Sequence, residues 1–127
     1  MLERLLLVAA GGALGAVARY LASGWVARLS HESPFPYGTL AVNVVGSLLL
    51  GFLLGAGSEG RFLVPPALRV FLGVGLLGAF TTFSTFSFET LEALRLGDVR
   101  VAVANVAANL LFGLPACWLG LQLGARL

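Results

Sequence analysis

Charged residues are scarce in this chain. Asp, Glu, Lys and Arg make up 11% of its 127 residues, whereas a soluble globular domain carries roughly 25%. Hydrophobic residues make up 58%, and the mean hydropathy is +0.95. Such a composition cannot cover a surface that faces water, so it predicts an integral membrane protein embedded in a lipid bilayer. The net charge of +2 is too small to indicate a nucleic-acid partner.

Side chains for catalysis and metal binding are scarce as well. The single cysteine, Cys117, excludes an intrachain disulfide and a cysteine-based metal site. The single histidine, His31, falls between apolar segments, where a solvated loop residue is more common than a ligand. The apolar segments contain no constellation of His, Cys or acid–base side chains that could act together in catalysis. An enzyme is therefore the least favoured class of protein.

Four apolar segments are long enough to cross a bilayer, which takes about 20 residues of helix. They cover residues 5–26, 39–57, 66–94 and 101–123 and predict an all-α membrane protein with four transmembrane helices in a single domain, 1–127. Residues 1–18 resemble a signal peptide because this apolar run ends in Ala16-Val17-Ala18, but the acidic Glu3 is atypical of such a peptide, so we expect these residues to remain as part of the first span. Charges and helix breakers cluster in the connections, 28–38, 58–65 and 95–100, and the last of these is predicted to be a short turn around Gly97-Asp98.

The arginines carry almost no orientation signal. With four spans, the two termini and the second connection share one side of the membrane, which holds Arg4, Arg61, Arg69 and Arg126. The opposite side holds Arg28, Arg95 and Arg100, with Arg19 if its side chain reaches that interface. Since orientation follows an excess of basic residues on one side, two readings stay open. Either the count cannot decide the topology, or copies insert in both orientations and pair antiparallel.

Small residues four positions apart allow helix backbones to approach closely in lipid. Three glycine pairs have this spacing and predict close packing, dimer contacts included: Gly11 and Gly15, Gly51 and Gly55, Gly120 and Gly124.

Polar residues recur within the spans at helical spacing, so that they share helix faces. These faces carry Thr39, Asn43 and Ser47 in the second span, Thr81 with Thr85 and Ser84 with Ser87 in the third, and Asn105 and Asn109 in the fourth. One reading is interhelical hydrogen bonding, worth about 0.6 kcal/mol per bond. The other is a polar track for a small solute, and three faces on three helices favour it.

Phe83 and Phe86 lie three residues apart among these hydroxyls, so they are neighbours on one helix. An aromatic ring has a positive edge and a negative face, so inward edges would attract an anion and inward faces a cation. The spacing does not say which part points inward. No Asp or Glu lies deep in a span; Glu89 and Glu92 fall near the end of the third, to pair with Arg95 or face water. The balance therefore favours an anion, and Arg19 either reaches the interface or concentrates anions at a pore mouth.

Three of these segments resemble the signatures of the small fluoride-channel family called Fluc, or CrcB. The segments are Gly11-Gly-Ala-Leu-Gly-Ala-Val-Ala-Arg-Tyr20, Gly38-Thr-Leu-Ala-Val-Asn-Val-Val-Gly46 and, most specifically, Gly78-Ala-Phe-Thr-Thr-Phe-Ser-Thr-Phe-Ser-Phe-Glu89. The length and the four spans agree with the family, so the resemblance covers essentially the whole chain.

The resemblance implies passive, selective export of cytoplasmic fluoride across the cell inner membrane by an antiparallel, dual-topology homodimer with two pores. It implies aromatic edges from Phe83 and Phe86, a hydrogen bond to the ion from Asn43, and further donors from Ser84, Thr85, Asn105 and Asn109. It also implies that the third helix breaks near its middle, where the backbone carbonyls of Gly78 and Thr81 from both subunits hold a structural sodium ion. The chain departs from some members, which carry Tyr and Ser on the fourth-helix face.

Two other classes of membrane protein fit the sequence less well. A small multidrug transporter should carry a glutamate embedded in its first helix, but the first span here offers only Glu3 at its start. A non-transporting assembly protein would account for the glycines but not for the three polar faces.

Overall fold

The computed structural model describes residues 1–31, 33–57 and 64–127. Helices α1 (Leu2–Leu29) and α2 (Tyr37–Ala56) form the first two spans. The third span, Pro66–Arg95, consists of α3 (Pro66–Arg69), a π-helix (Val70–Leu77), α4 (Gly78–Phe80) and α5 (Phe83–Arg95). Helix α6 (Val99–Gly124) is the fourth span. Glu32, Glu59 and Arg61, which the sequence places in connections, lie outside the described residues.

The four predicted spans are confirmed, each within three residues of its expected ends. Large apolar side chains cover their outer surfaces, among them Leu14, Trp25, Leu111 and Trp118. In a bilayer these side chains face lipid tails rather than water, so their exposure costs nothing there. The chain is therefore a multi-pass, all-helical membrane protein.

The predicted turn between the last two spans is confirmed at Gly97 and Asp98. Gly97 adopts a φ of +82°, which ends α5 because only glycine takes this conformation without strain. The amide of Asp98 donates to the Ala93 carbonyl at 2.8 Å, as at many helix ends that use such a glycine. The Asp98 carboxylate then accepts from the Val101 amide at 3.1 Å and caps the start of α6.

Helices α2 and α6 are held together by two glycine pairs. Gly51 and Gly55 on α2 lie against the backbone of α6, while Gly120 and Gly124 on α6 lie against the backbone of α2. A methyl group at any of the four would collide with a backbone carbonyl of the other helix. The close packing predicted from the glycine spacing is thus confirmed, and here it joins helices of a single chain.

The third glycine pair joins α1 to the π-helix. Gly11 lies against the backbone at Phe71 and Gly75, and Gly15 lies against the carbonyl of Leu76. In a π-helix each amide bonds to the carbonyl five residues back, which widens the helix. The sequence does not predict this widened stretch. It occurs where the glycines of α1 allow two backbones to touch.

Candidate functional site

The third span is interrupted close to its middle, as predicted. Between α4 and α5, Thr81 and Thr82 have extended backbones, with ψ angles of 160° and 114°. Broken backbone within a membrane is stable only where other groups satisfy its N–H and C=O groups. The residues around the break therefore decide what this region can bind.

The side chain of Asn43 on α2 pairs with the backbone of Thr82. Its Oδ1 accepts from the Thr82 amide at 2.8 Å, and its Nδ2 donates to the Thr82 carbonyl at 3.2 Å. A side-chain amide thus replaces the neighbouring turn that a continuous helix would provide. Nδ2 also donates to Oδ1 of Asn109 at 3.0 Å, so both amide hydrogens of Asn43 are engaged within the chain.

These bonds continue as a chain of donors that all point the same way. Asn109 donates from Nδ2 to Oδ1 of Asn105 at 3.0 Å, and Asn105 donates to the Thr90 hydroxyl at 2.9 Å. Thr90 in turn donates to the Phe86 carbonyl at 2.8 Å. Aligned hydrogen bonds polarise one another, and Asn105 is completely buried. The asparagines of α2 and α6 therefore tie both ends of the segment 82–90 to the rest of the chain.

Thr82 caps α5 with its own hydroxyl. Oγ1 accepts from the Thr85 amide at 3.1 Å and donates to the Thr85 hydroxyl at 3.0 Å. The Ser84 hydroxyl lies 3.3 Å from the same oxygen. Capping by a threonine explains why the helix restarts directly at Phe83. Three hydroxyls are thereby gathered at the start of α5.

The break diverts two backbone donors from two particular carbonyls. In a continuous α-helix the amide of residue i donates to the carbonyl of residue i−4. Thr82 would donate to Gly78, but its amide bonds to Asn43. Thr85 would donate to Thr81, but its amide bonds to the Thr82 hydroxyl. The carbonyls of Gly78 and Thr81, which the family resemblance implies as sodium ligands, are therefore released from the helical ladder.

Phe83 and Phe86 lie beside an open groove of about 370 Å³. Their ring centroids are 5.5 Å apart, and the ring planes are inclined at 50°. Phe83 is 78% exposed on the single chain, although it lies near the middle of a span. The same groove is lined by polar residues of α2, α6 and the break and by the free thiol of α6: Asn43, Ser47, Thr81, Thr82, Asn109 and Cys117.

Arg19 lines a different cavity. It lies on α1 beside a space of about 240 Å³ that Thr82 and Thr85 also border, together with Tyr20, Ser23, Thr39 and others. Of the predicted site residues, Thr85 thus faces the side of the break near Arg19, whereas Phe83, Phe86, Asn43 and Asn109 line the groove. The two spaces meet the same broken segment from two sides.

The sequence underestimates Glu89. The Thr39 hydroxyl donates to Oε1 of Glu89 at 2.8 Å, and Oε2 is buried without a partner among the described residues. Glu92, and not Glu89, pairs with Arg95, at 2.8 Å. Glu89 thus lies near the end of the third span, as expected, but the expected pair with Arg95 is wrong for Glu89, which bonds to Thr39 instead. The helical spacing of Thr85 and Glu89 was available as a signal, since it places them on the same face of α5.

Thr82 and Thr90 are the other residues that the sequence did not single out for the site. Thr82 forms hydrogen bonds with Asn43 and Thr85, and its hydroxyl lies within hydrogen-bond distance of the Ser84 hydroxyl. Thr90 links Asn105 to the Phe86 carbonyl. Spacing along the chain does not distinguish either threonine from the other hydroxyl residues of this segment. The partners that set them apart lie on other helices: Asn43 on α2 for Thr82 and Asn105 on α6 for Thr90.

The site offers hydroxyls, aromatic rings and released carbonyls, while the side-chain amide hydrogens of Asn43 and Asn109 are bonded within the chain. Within the residues that the structure describes, no group of three or more His, Cys, Asp or Glu side chains is placed to bind a metal ion. Backbone carbonyls are ligands for hard cations, which prefer oxygen. The donors and ring edges, in contrast, are suited to an anion that must lose water.

Comparison with known proteins agrees with this chemistry. Residues 6–121 match the family described as CrcB-like protein, Camphor Resistance (CrcB). A protein of Symbiobacterium thermophilum named fluoride-specific ion channel FluC 1 is 51% identical over 118 residues, which cover 93% of this chain and 94% of the relative. A protein of Methylobacillus flagellatus named fluoride-specific ion channel FluC is 45% identical, over 94% of this chain and 93% of the relative. A protein of the same name in Geobacter metallireducens is 46% identical, over 94% of this chain and 95% of the relative.

The family resemblance seen in the sequence motifs is therefore confirmed. The match covers more than nine-tenths of this chain and of each of these relatives, and it includes all four spans. The chain therefore belongs to the CrcB-like family of membrane ion channels.

Proposed function

We propose that this protein is a passive, fluoride-selective ion channel. The groove beside the break carries the proposal, because it brings Asn43, Asn109 and the Phe83–Phe86 pair to one surface at membrane depth. The names of the relatives, fluoride-specific ion channels at 45–51% identity, identify the ion. Fluoride holds its water strongly, so a selective path needs closely spaced donors and ring edges to replace that water.

We infer that the conducting form is an antiparallel homodimer with two pores, inserted in both orientations in the cell inner membrane. The groove is open on the single chain, and Phe83 and Gly78 are exposed near the middle of the third span. A second copy packed on this face would close the groove into a path. The nearly even distribution of arginines supports insertion in both orientations, since neither side has a basic excess.

A structural sodium ion fits the centre of such a dimer. The carbonyls of Gly78 and Thr81 have lost their helical donors to Asn43 and Thr82. Carbonyls in this state are strong acceptors, and two from each subunit would surround a hard cation with oxygen. The ion would supply positive charge that holds the two broken helices together, while the residues of this chain hold the carbonyls in place.

Efflux from liposomes tests the proposed function directly. Purified protein is reconstituted in liposomes loaded with fluoride or chloride, and release is followed with ion-selective electrodes. Rapid fluoride release with no chloride release above empty liposomes is the expected result. Equal release of both anions would contradict selectivity, and no release from protein verified as dimeric would contradict the channel function.

Cross-linking tests the dimer separately. A single cysteine introduced at Gly78 in the Cys117→Ser background is expected to cross-link to its counterpart, since this residue would lie near the two-fold axis. A cysteine at Trp118, on the outer surface of α6, serves as the control and is expected to remain uncross-linked. Equal cross-linking at both positions, or none at Gly78, would contradict this dimer face.

A further inference from the structure

The hydrogen bonds at the break suggest a role for Asn43 that differs from direct ion binding. Both hydrogens of its amide already bond within the chain, to the Thr82 carbonyl and to Asn109. Its oxygen accepts from the Thr82 amide at 2.8 Å. Every hydrogen of this side-chain amide is thus committed to holding the backbone and the neighbouring helix, and none is left to donate to an ion in this conformation.

The amide of Thr82 has two competing acceptors. One is Oδ1 of Asn43, which it uses, and the other is the carbonyl of Gly78, which it would use in a continuous helix. If Asn43 were absent, the Thr82 amide would be left without a partner in an apolar environment. An unpaired backbone group in lipid is costly, so the amide would return to the Gly78 carbonyl and the helix would extend across the break.

The same competition exists one turn further on. In a continuous helix the Thr85 amide would donate to the Thr81 carbonyl. Here it donates to the Thr82 hydroxyl instead, at 3.1 Å. Thr82 is itself 7% exposed, so water does not compete for this bond in the single chain. Two side chains therefore each remove one donor from one carbonyl.

We propose that Asn43 and Thr82 are positioning residues that keep the third span broken, and that they thereby hold the Gly78 and Thr81 carbonyls available to a hard monovalent cation. This inference rests on the proposed function in that the cation lies at the subunit interface. It differs from it in assigning the cation affinity to residues that do not touch the ion. The asparagine of α2 is then coupled to dimer stability as well as to permeation.

Sodium titration of the purified protein in detergent tests the coupling. Protein is exchanged into a choline salt, sodium is added back, and the fraction of dimer that survives heating is measured by size-exclusion chromatography. Asn43→Leu keeps the number of side-chain heavy atoms and the branching at Cγ, and it removes both bonds to Thr82. We expect it to raise the sodium concentration for half-maximal protection by about tenfold, equivalent to about 1.4 kcal/mol. Thr82→Val, which removes only the hydroxyl, is expected to shift it in the same direction by less.

Thr39→Val is the matched control. Thr39 is a buried polar residue on the same helix as Asn43, and its hydroxyl donates to Oε1 of Glu89 rather than to the break. This variant is expected to lower the melting temperature while changing the sodium midpoint less than about twofold, which is about 0.4 kcal/mol. A merely structural role of Asn43 would instead shift the sodium midpoint equally in Asn43→Leu and Thr39→Val.

Hydrogen exchange in the unmodified protein provides a measurement that does not depend on a variant folding. The Thr82 amide lies outside any helix, but its bond to Asn43 should protect it as strongly as amides inside α5. Exchange at the rate of an open chain would overturn the proposal. So would sodium midpoints that are equal in the wild type and in Asn43→Leu.

The two hypotheses fail in different ways. A wild-type protein whose stability ignores sodium overturns both the sodium site and the positioning role. A protein that releases fluoride, responds to sodium and tolerates Asn43→Leu without a shift overturns the positioning role alone. A protein that needs sodium but does not release fluoride leaves the positioning role supported and overturns the channel.

Discussion

Replacing Phe83 with isoleucine removes an aromatic ring from the groove and leaves an apolar side chain. Phe83 is 78% exposed on the single chain, so the substitution removes little burial within it. The contact with Phe86, at 5.5 Å between ring centroids, is an aromatic pair, which is worth about 0.5–1.5 kcal/mol. The single chain should therefore still fold.

The effect on flux should be larger than the effect on folding. If a ring edge stabilises the partly dehydrated anion at the barrier by about 1.4 kcal/mol, its loss slows conduction about tenfold. We expect a loss of this order in Phe83→Ile, and a loss in the same direction in Phe86→Ile. Phe112 on α6 is 59% exposed and does not line the groove, so Phe112→Ile is the control that should conduct normally.

Fluoride efflux from liposomes, normalised to the amount of reconstituted dimer, measures this effect. Size-exclusion profiles of the three variants establish that assembly is unchanged. Unchanged flux in both Phe83→Ile and Phe86→Ile would refute the aromatic-edge mechanism. A loss of flux in Phe112→Ile of the same size would show that the effect belongs to helix packing and not to the groove.

Three further predictions follow from single contacts. Gly11→Ala forces a methyl group into the backbone of the π-helix, whereas nothing lies within 4 Å of a methyl group at Gly12. Gly11→Ala should therefore lower the free energy of unfolding in detergent by about 1–3 kcal/mol, and Gly12→Ala should not. Equal melting temperatures of the two variants would contradict the packing of α1 on the π-helix. Thr39→Val leaves Glu89 without the donor to its Oε1 and should cost about 1–3 kcal/mol, while Thr39→Ser, which retains a hydroxyl, should melt close to the wild type. Glu92→Gln breaks an ion pair whose Arg95 partner is 75% exposed, so its melting temperature should equal that of the wild type, and a clear drop would mean that the pair is shielded in the assembled protein.

The class of the protein and the layout of its spans can be predicted from the amino-acid order alone. Apolar runs of membrane length, separated by charged or proline-containing connections, predicted all four helices because lipid permits only helices or closed barrels to cross it. The Gly97-Asp98 turn and the three glycine pairs were predicted for a similar reason, since they act through local backbone geometry. The motifs around Gly11, Asn43 and Thr81 indicated the family, which the comparison with known proteins confirms.

The contacts of the polar residues, in contrast, depend on how the helices pack. Asn43, Asn105 and Asn109 were predicted to face a path, but their partners lie up to 66 positions away in sequence, and helical spacing cannot reveal such pairs. In the sequence Thr82 is one of nine consecutive hydroxyl and phenylalanine residues, 80–88, and only the fold places its amide against Asn43. The roles of a donor depend on which acceptor folding brings within about 3 Å, and that distance is set by the packing of α2, α5 and α6, not by the order of residues along any one of them.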